Sequence, residues 1–335
     1  MAIYIGRRLL LLIPVLLGVT FITFTLTRII PGNPIDQMVS PMASQEVRQQ
    51  VAAANGLNKP MPVQYVRYIR NLLHGNLGDS FFTSQPVLTD LTQKFPATLE
   101  LTSYAMLVAL ALAIPLGVAA AVWRDTVIDH ASRIIAVAGV AVPIFWGGLL
   151  LIYFFFYRLH WLPPPNGRIS PLIQPPHHIT GLYTVDSLLT GNWSALRSSV
   201  EALIMPTAVL AFAVMASLAR MTRASMIEAL DADYTRAARS LGLSERSVVL
   251  RHALRNAMLP VLTYIAIVYG YLLGGSVLIE NIFAWPGLGR YVFNAITSSD
   301  YPAVQGFILY ATSVYVLLFL VVDVLYVFFD PRVRY

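Results

Sequence analysis

Of the 335 residues, 57% are hydrophobic and only 12% are charged, against about 25% charged in an ordinary soluble domain. That balance excludes a water-soluble globular enzyme and points to a polytopic membrane protein. Lys59 and Lys94 are the only lysines among 23 basic residues, and the arginines gather at the ends of apolar runs, where they set topology rather than bind nucleic acid. With no cysteine there is no disulfide framework, thiol nucleophile or cysteine metal site.

A bilayer crossing takes about 20 apolar residues. Arg7 and Arg8 precede the first such run, Leu9–Thr27, and Ile30-Pro31-Gly32-Asn33-Pro34 ends it. Its length and the lack of a small-x-small cleavage pattern argue against a signal peptide. Residues 31–100 then form an external region. Ser44 caps a short helix that ends before Gly56, and a second helix starts near Pro62, puts Val63, Val66, Ile69, Leu72 and Leu73 on one face and stops at Gly75. The next two spans are Leu101–Trp123 and Ile134–Tyr157. They contain Pro115 with Gly117, and Pro143 with Gly147 and Gly148, which membrane helices tolerate. Residues 158–201, rich in Pro, Gly and Ser, read as an external loop with one helix.

After span four, Ala202–Ala219, comes the most distinctive segment, 220–255. Asp231 and Asp233 suit the positive N-terminus of a short helix, Gly242 the left-handed position that ends it, and Ser244 the cap of a second helix running to Leu259. Arginines point outward, and Ala237, Ala238 and Leu241 offer a small apolar ridge sized for a shallow groove on another protein. Span five is Asn256–Ile279. Beyond it, Trp285 suits an interface, Pro286 stiffens the chain, and Gly287 with Gly289 allows a tight turn, so Phe283–Arg290 forms a rigid feature beside an outer mouth. Span six is Tyr301–Val322. Residues 1–30 thus hold the N-terminus and first span, 31–100 an external region, and 101–335 the core.

With the N-terminus inside, the cytoplasmic segments hold Arg7, Arg8, Arg124, Arg133, Arg220, Arg223, Arg236, Arg239, Arg246, Arg251, Arg255, Arg332 and Arg334. The short outer loops hold only Arg158, Arg168, Arg197 and Arg290. Both termini are therefore expected in the cytoplasm. Neither lysine follows a glycine, so no Gly-Lys-Ser/Thr phosphate loop exists, and neither H-E-x-x-H nor G-x-S-x-G occurs. His177-His178, in a Pro-rich loop, reads as a solvated pair. No ionisable group falls inside a span; Arg28, Glu100, Glu280 and Asp323 sit at span ends and read as snorkelling side chains. The chain carries neither an ATP motor nor an ion relay of its own.

Segment 220–255 resembles the EAA loop of ABC-importer permeases. Arg236-Ala237-Ala238 and Gly242 hold its spacing, with Arg236 where the pattern has Glu, and the Leu-Pro falls late, at Leu259-Pro260. These departures fit the peptide/nickel branch, as do His252-Ala-Leu-Arg255, Gly75-Asn76-Leu77-Gly78-Asp79-Ser80, Pro96-Ala97-Thr98-Leu99-Glu100, Pro143-Ile144-Phe145-Trp146 and Glu280-Asn-Ile-Phe283-Ala-Trp285-Pro286-Gly287-Leu288-Gly289-Arg290. The chain is similar to B-type permease subunits of dipeptide/oligopeptide ABC importers.

The resemblance implies an all-α integral membrane protein of type I importer fold with six transmembrane helices, and a non-catalytic translocation subunit of the bacterial inner membrane. The implied partners are a second permease as heterodimer, two ABC ATPases and an extracytoplasmic binding protein; ATP and Mg are bound by the ATPases, with no cofactor or metal in this chain. It implies coupling through Tyr234, Arg236, Ala237, Ala238, Arg239, Leu241 and Gly242, and an external gate at Glu280, Phe283, Trp285, Pro286 and Gly287. Phe145, Trp146, Tyr264 and Tyr271 are candidate pore-lining residues. The cargo within this branch stays open among peptides, nickel chelates and glutathione. The readings from other classes are an ion-coupled carrier or channel, and a membrane-anchored regulator whose basic helix-turn-helix binds DNA.

Overall fold

The computed structural model describes residues 2–29, 35, 39, 42–54 and 56–329, and among them there is no β-strand. The expected stop at Ile30–Pro34, the terminal Arg332 and Arg334, and the side chains of Arg7, Arg8 and Asp323 lie outside the described residues. In chain order the helices are α1 (Ala2–Ile29), α2 (Gln45–Ala54), α3 (Met61–Leu73), α4 (Val87–Val122), α5 (Val127–Ala141), α6 (Ile144–Leu151), α7 (Tyr183–Leu189), α8 (Trp193–Asp231), α9 (Asp233–Ser240), α10 (Glu245–Ser247), α11 (Leu254–Gly275), α12 (Val277–Ile282), α13 (Leu288–Thr297) and α14 (Tyr301–Phe329). Stretches of π-helix follow α6 at Ile152–Arg158 and precede α11 at Val248–Ala253.

Among the described residues four helical stretches are long and apolar enough to cross a bilayer: α4, α8, Glu245–Gly274 and Tyr301–Val321. Ile13–Arg28 and Ile144–Arg158 are shorter apolar helices. The expected third span, Ile134–Tyr157, is therefore two helices rather than one. Pro143 is the cause: it lacks an N–H, and its ring forces Val142 out of helical geometry, to φ −79°, ψ 118°. Pro14, Pro206 and Pro260 instead lie within continuous helices.

The chain divides into two compact units, whose main parts are residues 1–96 with 286–320, and 97–285 with 321–334. In the first, the Val47 amide donates to Ser44 Oγ at 3.4 Å, and Gly56 and Gly75 take the left-handed φ values of 69° and 75° that end α2 and α3. The face of α3 that packs is not the expected one. Tyr65 and Tyr68 lie against Phe21 and Phe24 of α1, while Val63, Val66 and Leu73 stay exposed. Elsewhere in this unit Val87 and Leu91 bury against Leu288, Tyr291 and Ala295. Asp300 accepts from Ser80 Oγ at 2.6 Å and from the Phe82 amide at 3.1 Å, and caps α14 through the Ala303 amide.

The second unit is organised by α8, which packs against α5, α7 and α11. Its inward residues are mostly small or aliphatic, among them Ala211, Val214, Met215, Leu218, Ala219 and Thr222. Glycines on the facing helices let the backbones close up. A Cβ at Gly117 of α4 would fall 2.6 Å from Thr222 Cβ and 2.8 Å from the Ala219 carbonyl oxygen, and one at Gly139 of α5 would fall 2.9 Å from Ala216 Cβ. Asp129 of α5 fixes the adjoining corner. Buried, it accepts from Arg223 Nε of α8 at 2.7 Å and from Arg133 Nη2 at 2.7 Å. The bonds from Arg223 and Arg133 hold its carboxyl well below the usual carboxylate range.

Because the Gly117 contact is with backbone, it has no flexible end to yield. Gly117→Ala is expected to cost about 1–3 kcal/mol, read as a lowered thermal unfolding midpoint in detergent. Gly274→Ala, with nothing within 4 Å of the added Cβ, is expected to hold or slightly raise the midpoint, because alanine favours helix over glycine.

Candidate coupling arm and external locks

The segment after α8 folds as helix, tight turn and helix. Asp231 closes α8 rather than opening the next helix; Asp233 opens α9 and pairs with Arg236 at 2.8 Å. The corner between them is locked by a residue the sequence pattern did not single out. The buried Thr235 hydroxyl lies 2.6 Å from the Ala232 carbonyl oxygen, 2.9 Å from that of Leu230 and 3.1 Å from that of Ala229, shared among acceptors that the end of α8 leaves free. The signal for it was a threonine one turn beyond Asp231, the end of α8, where its short side chain can reach back.

Gly242 adopts φ 78°. Its amide donates to the Arg239 carbonyl at 2.9 Å and the Leu243 amide to the Ala238 carbonyl at 3.3 Å, the paired bonds of a Schellman end. Ser244 stands at the next N-cap position, but its side chain makes no capping bond. Arg239 Nε reaches Glu245 at 2.9 Å and ties α9 to α10 across the turn. Ala238 faces inward and is buried with Thr235, while Tyr234, Ala237 and Leu241 face out. The exposed ridge is thus Tyr234–Ala237–Leu241, not one containing Ala238, because α9 lays its Ala238 side on the Val248–Ala253 stretch.

Glu280, Phe283 and Trp285 lie in the second unit and are buried. Glu280 Oε1 accepts from Thr98 Oγ1 at 2.7 Å and Ser276 Oγ at 2.8 Å. Trp285 Nε1 donates to the Ala97 carbonyl at 2.8 Å, and its amide to the Glu280 carbonyl at 2.7 Å. Trp285 is thus a core residue, not an interfacial ring. The left-handed residue here is Ala284, φ 50°, whereas Gly287 is extended at φ −99° and Gly289 lies within α13, so the turn does not rest on those glycines. Pro286 and Gly287 belong to the first unit, where with Lys94, Arg290, Asn294 and Asp300 they line a cleft of about 250 Å³.

Glu100 and Arg168 are likewise buried instead of snorkelling or marking topology. Arg168 Nη2 donates to Glu100 Oε2 at 2.6 Å and to the Gly181 carbonyl at 2.7 Å, its guanidinium stacks 3.7 Å from the Tyr183 ring centroid, and Glu100 Oε1 accepts from the Thr184 amide and hydroxyl. This network staples loop 158–201 to the start of the core helix. Asp186 completes it by accepting from Thr180 Oγ1 and from the amides of Ile179, Thr180 and Gly181. His177 and His178 are exposed. Of the aromatic candidates, Phe145, Trp146 and Tyr271 are exposed, Trp146 lines an apolar groove with Val209 and Phe212, and Tyr264 packs on the core. The structure brings these four into no single cavity among the described residues.

These features meet a known pattern. Residues 113–335 match the family described as "Binding-protein-dependent transport system inner membrane component", and residues 1–102 match the N-terminal component of such membrane proteins. The chain belongs to this family. It is 43% identical, over 96% of its length and 94% of the relative's, to the "Probable D,D-dipeptide transport system permease protein DdpB" of Escherichia coli strain K12. It is 42% identical to the "Dipeptide transport system permease protein DppB" of Alkalihalophilus pseudofirmus over the whole of both chains. It is 44% identical to the "Di/tripeptide transport system permease protein DppB" of Pseudomonas aeruginosa, over 99% and 98% of the two chains.

Loop 158–201 of this binding-protein-dependent permease should be acid-sensitive through Asp186. Burial pushes that carboxyl up, but the bonds from Thr180, Ile179 and Gly181 outweigh it and hold it below its ordinary value of 3.8. A depressed carboxylate contributes stability that is present above the ordinary value and lost as pH falls toward the folded one. Protection of residues 179–186 from hydrogen exchange should therefore decline below about pH 4, and Asp186→Asn should remove the dependence.

Proposed function

We propose that this chain is the membrane-spanning permease subunit of an ATP-driven importer of dipeptides and short oligopeptides. The observation that carries the reading is near-complete coverage, at 42–44% identity, of relatives whose names specify dipeptide transport. In this reading the type I importer fold has six spans with both termini cytoplasmic. A second permease completes the pathway, two ATPases bind and hydrolyse ATP with Mg, and an extracytoplasmic protein delivers the peptide. The chain itself is non-catalytic and carries no cofactor. The arm around α9 meets an ATPase through Tyr234, Ala237 and Leu241, with Arg236 and Arg239 at the rim able to pair with acidic groups. The Glu280–Gly287 segment supports the outer mouth. Phe145, Trp146 and Tyr271, which stay exposed on the single chain, are the candidates for lining the peptide path.

Mechanistically, ATP-driven closure of the ATPases would push the arm, and the push would reach the core through α8 and α11, on which the arm is mounted. Alternating access follows if the helices open toward the docked binding protein while the inner side closes.

Reconstitution of the full complex in liposomes tests this. Dipeptide uptake should require both ATP at the cytoplasmic face and the binding protein. Equal uptake without ATP and with no membrane potential would overturn the importer reading in favour of a facilitator, and loss only on uncoupler addition would favour an ion-coupled carrier.

The arm makes its own prediction. A Cβ at Gly242 meets nothing within 4 Å, so substitution there acts through the backbone alone. Gly242→Val puts a β-branched residue at positive φ, at a cost of at least about 1–2 kcal/mol, and should lower transport while leaving membrane insertion intact. Gly242→Asn, which tolerates that conformation, should restore most of it. Full transport by the valine variant would remove the coupling role.

A further inference from the structure

Helix α3 carries an apolar stripe wider than α1 covers. At 3.6 residues per turn, Tyr65, Tyr68 and Leu72 form one edge of that stripe, and Ile69, Leu73 and Val66 the other. The first edge is satisfied: Phe24 of α1 lies 5.4 Å from the Tyr65 ring and 5.8 Å from the Tyr68 ring, and Phe21 lies 5.7 Å from Tyr65. The second edge is largely uncovered: Val66 is 67% exposed and Leu73 82%, with Ile69 half-buried between them. Arg67 and Asn71 occupy the opposite side, with Arg67 donating to the Ala54 carbonyl at 3.3 Å, and Arg70 stands one turn from Val66 at the rim of the stripe.

The level at which α3 meets α1 decides what covers the bare edge. The Tyr65 hydroxyl lies 3.1 Å from Thr20 Oγ1 and 3.4 Å from the Leu17 carbonyl oxygen. At about 1.5 Å per residue, Leu17 is roughly 18 Å below Ile29, the end of α1. The contact is therefore with the apolar body of α1, not with its outer tip. The neighbouring surface of α1 is itself bare and apolar, with Leu17, Phe21, Ile22 and Leu26 exposed. The uncovered edge of α3 continues that surface.

We propose that α3 is a monotopic helix embedded in the outer leaflet, with Val66, Ile69 and Leu73 in contact with acyl chains and the Arg67–Asn71 side turned to the headgroups. A stripe of this kind beside a basic face is how interfacial helices bind lipid. Arg70, at the rim of the stripe, can snorkel toward the phosphates. The region between the first two spans is then not a freely external domain but is held at the bilayer along α1. The inference rests on α1 crossing the membrane.

The chain has no cysteine, so single cysteines at Val66, Leu73, Asn71 and Ile22 can be spin-labelled in the assembled complex in nanodiscs. Collision rates are then compared for oxygen, which concentrates in lipid, and a nickel chelate, which stays in water. Labels at Val66 and Leu73 should collide several-fold more often with oxygen, and the label at Asn71 more often with nickel. The label at Ile22, on α1, reports the underlying reading separately. If Ile22 is lipid-exposed while Val66 and Leu73 favour nickel, α3 stands in water and the proposal fails. If Val66 and Leu73 are shielded from both reagents, a protein partner covers the stripe and the proposal also fails. If Ile22 itself favours nickel, the membrane placement of α1 fails, and with it the ground for embedding α3.

Discussion

Lipid tails are as apolar as leucine, so the hydrophobic effect that gathers helices in water does not gather them in a bilayer. What remains is close packing and internal hydrogen bonding, and α8 is built for the first. Its buried side is dominated by small residues, including Ala211, Ala216, Ala219 and Thr222, and glycines on α4 and α5 face it. Gly148 of α6 faces α12 instead, where a Cβ would fall 3.3 Å from the Phe283 ring and 3.5 Å from Ile279. Dispersion gains fall steeply with separation, so each missing Cβ brings more backbone and side-chain atoms into range than it forfeits. The second unit depends on that close approach of helices to α8.

Polar side chains do the rest, and they sit where the bilayer permits them. Glu100 lies near one end of the second-unit part of α4, and Asp129 just beyond the other end. About twenty residues of helix between them span roughly 30 Å, close to one hydrocarbon thickness. Each carboxylate is buried in protein and paired there: Glu100 with Arg168 and Thr184, Asp129 with Arg133 and Arg223. Glu280 is held by Thr98 and Ser276. A buried ion pair is weak evidence for stability, because desolvation offsets most of its attraction. Its geometry is demanding, however, and breaking one partner is costly. These groups fix which helix faces which, while the small-residue contacts set how near they come.

How much of this was legible follows from how local each cause is. The spans around α4, α8, α11 and α14 were visible because twenty apolar residues in a row admit few readings. The turn at Gly242 was visible because left-handed backbone selects glycine, and the starts of α2 and α3 because Ser44 and Pro60-Met-Pro62 act on their own neighbours. The break at Pro143 was missed because other prolines here are absorbed into helices, and the outcome depends on what packs around each. Arg168 was counted as an ordinary loop charge, and Glu100 and Glu280 as snorkelling ends. Their true partners are as far away in sequence as Glu100 is from Arg168 or Thr98 from Glu280, and no local pattern announces them. Thr235 escaped for the opposite reason: threonines are common, and only the corner it fills makes this one matter. On α3 the apolar pattern was recognised but given a single packing face, because periodicity shows how wide a stripe is and not how much of it one partner covers.

The arm built around α9 shows how these local and distant causes combine. A segment that passes force from one protein to another has to resist deformation between the contact and the helices it moves. Exposed loops usually do not, since few buried contacts hold them. Here the Thr235 hydroxyl ties the first turn of α9 to the last carbonyls of α8, the Schellman end at Gly242 fixes the reversal, and the Arg239–Glu245 pair bridges it. Ala238 then seats α9 on the Val248–Ala253 stretch, which continues directly into α11. The contacts of α9 thus run to α8 on one side and, through the Val248–Ala253 stretch, to α11 on the other. Those two helices pack on each other along the second unit.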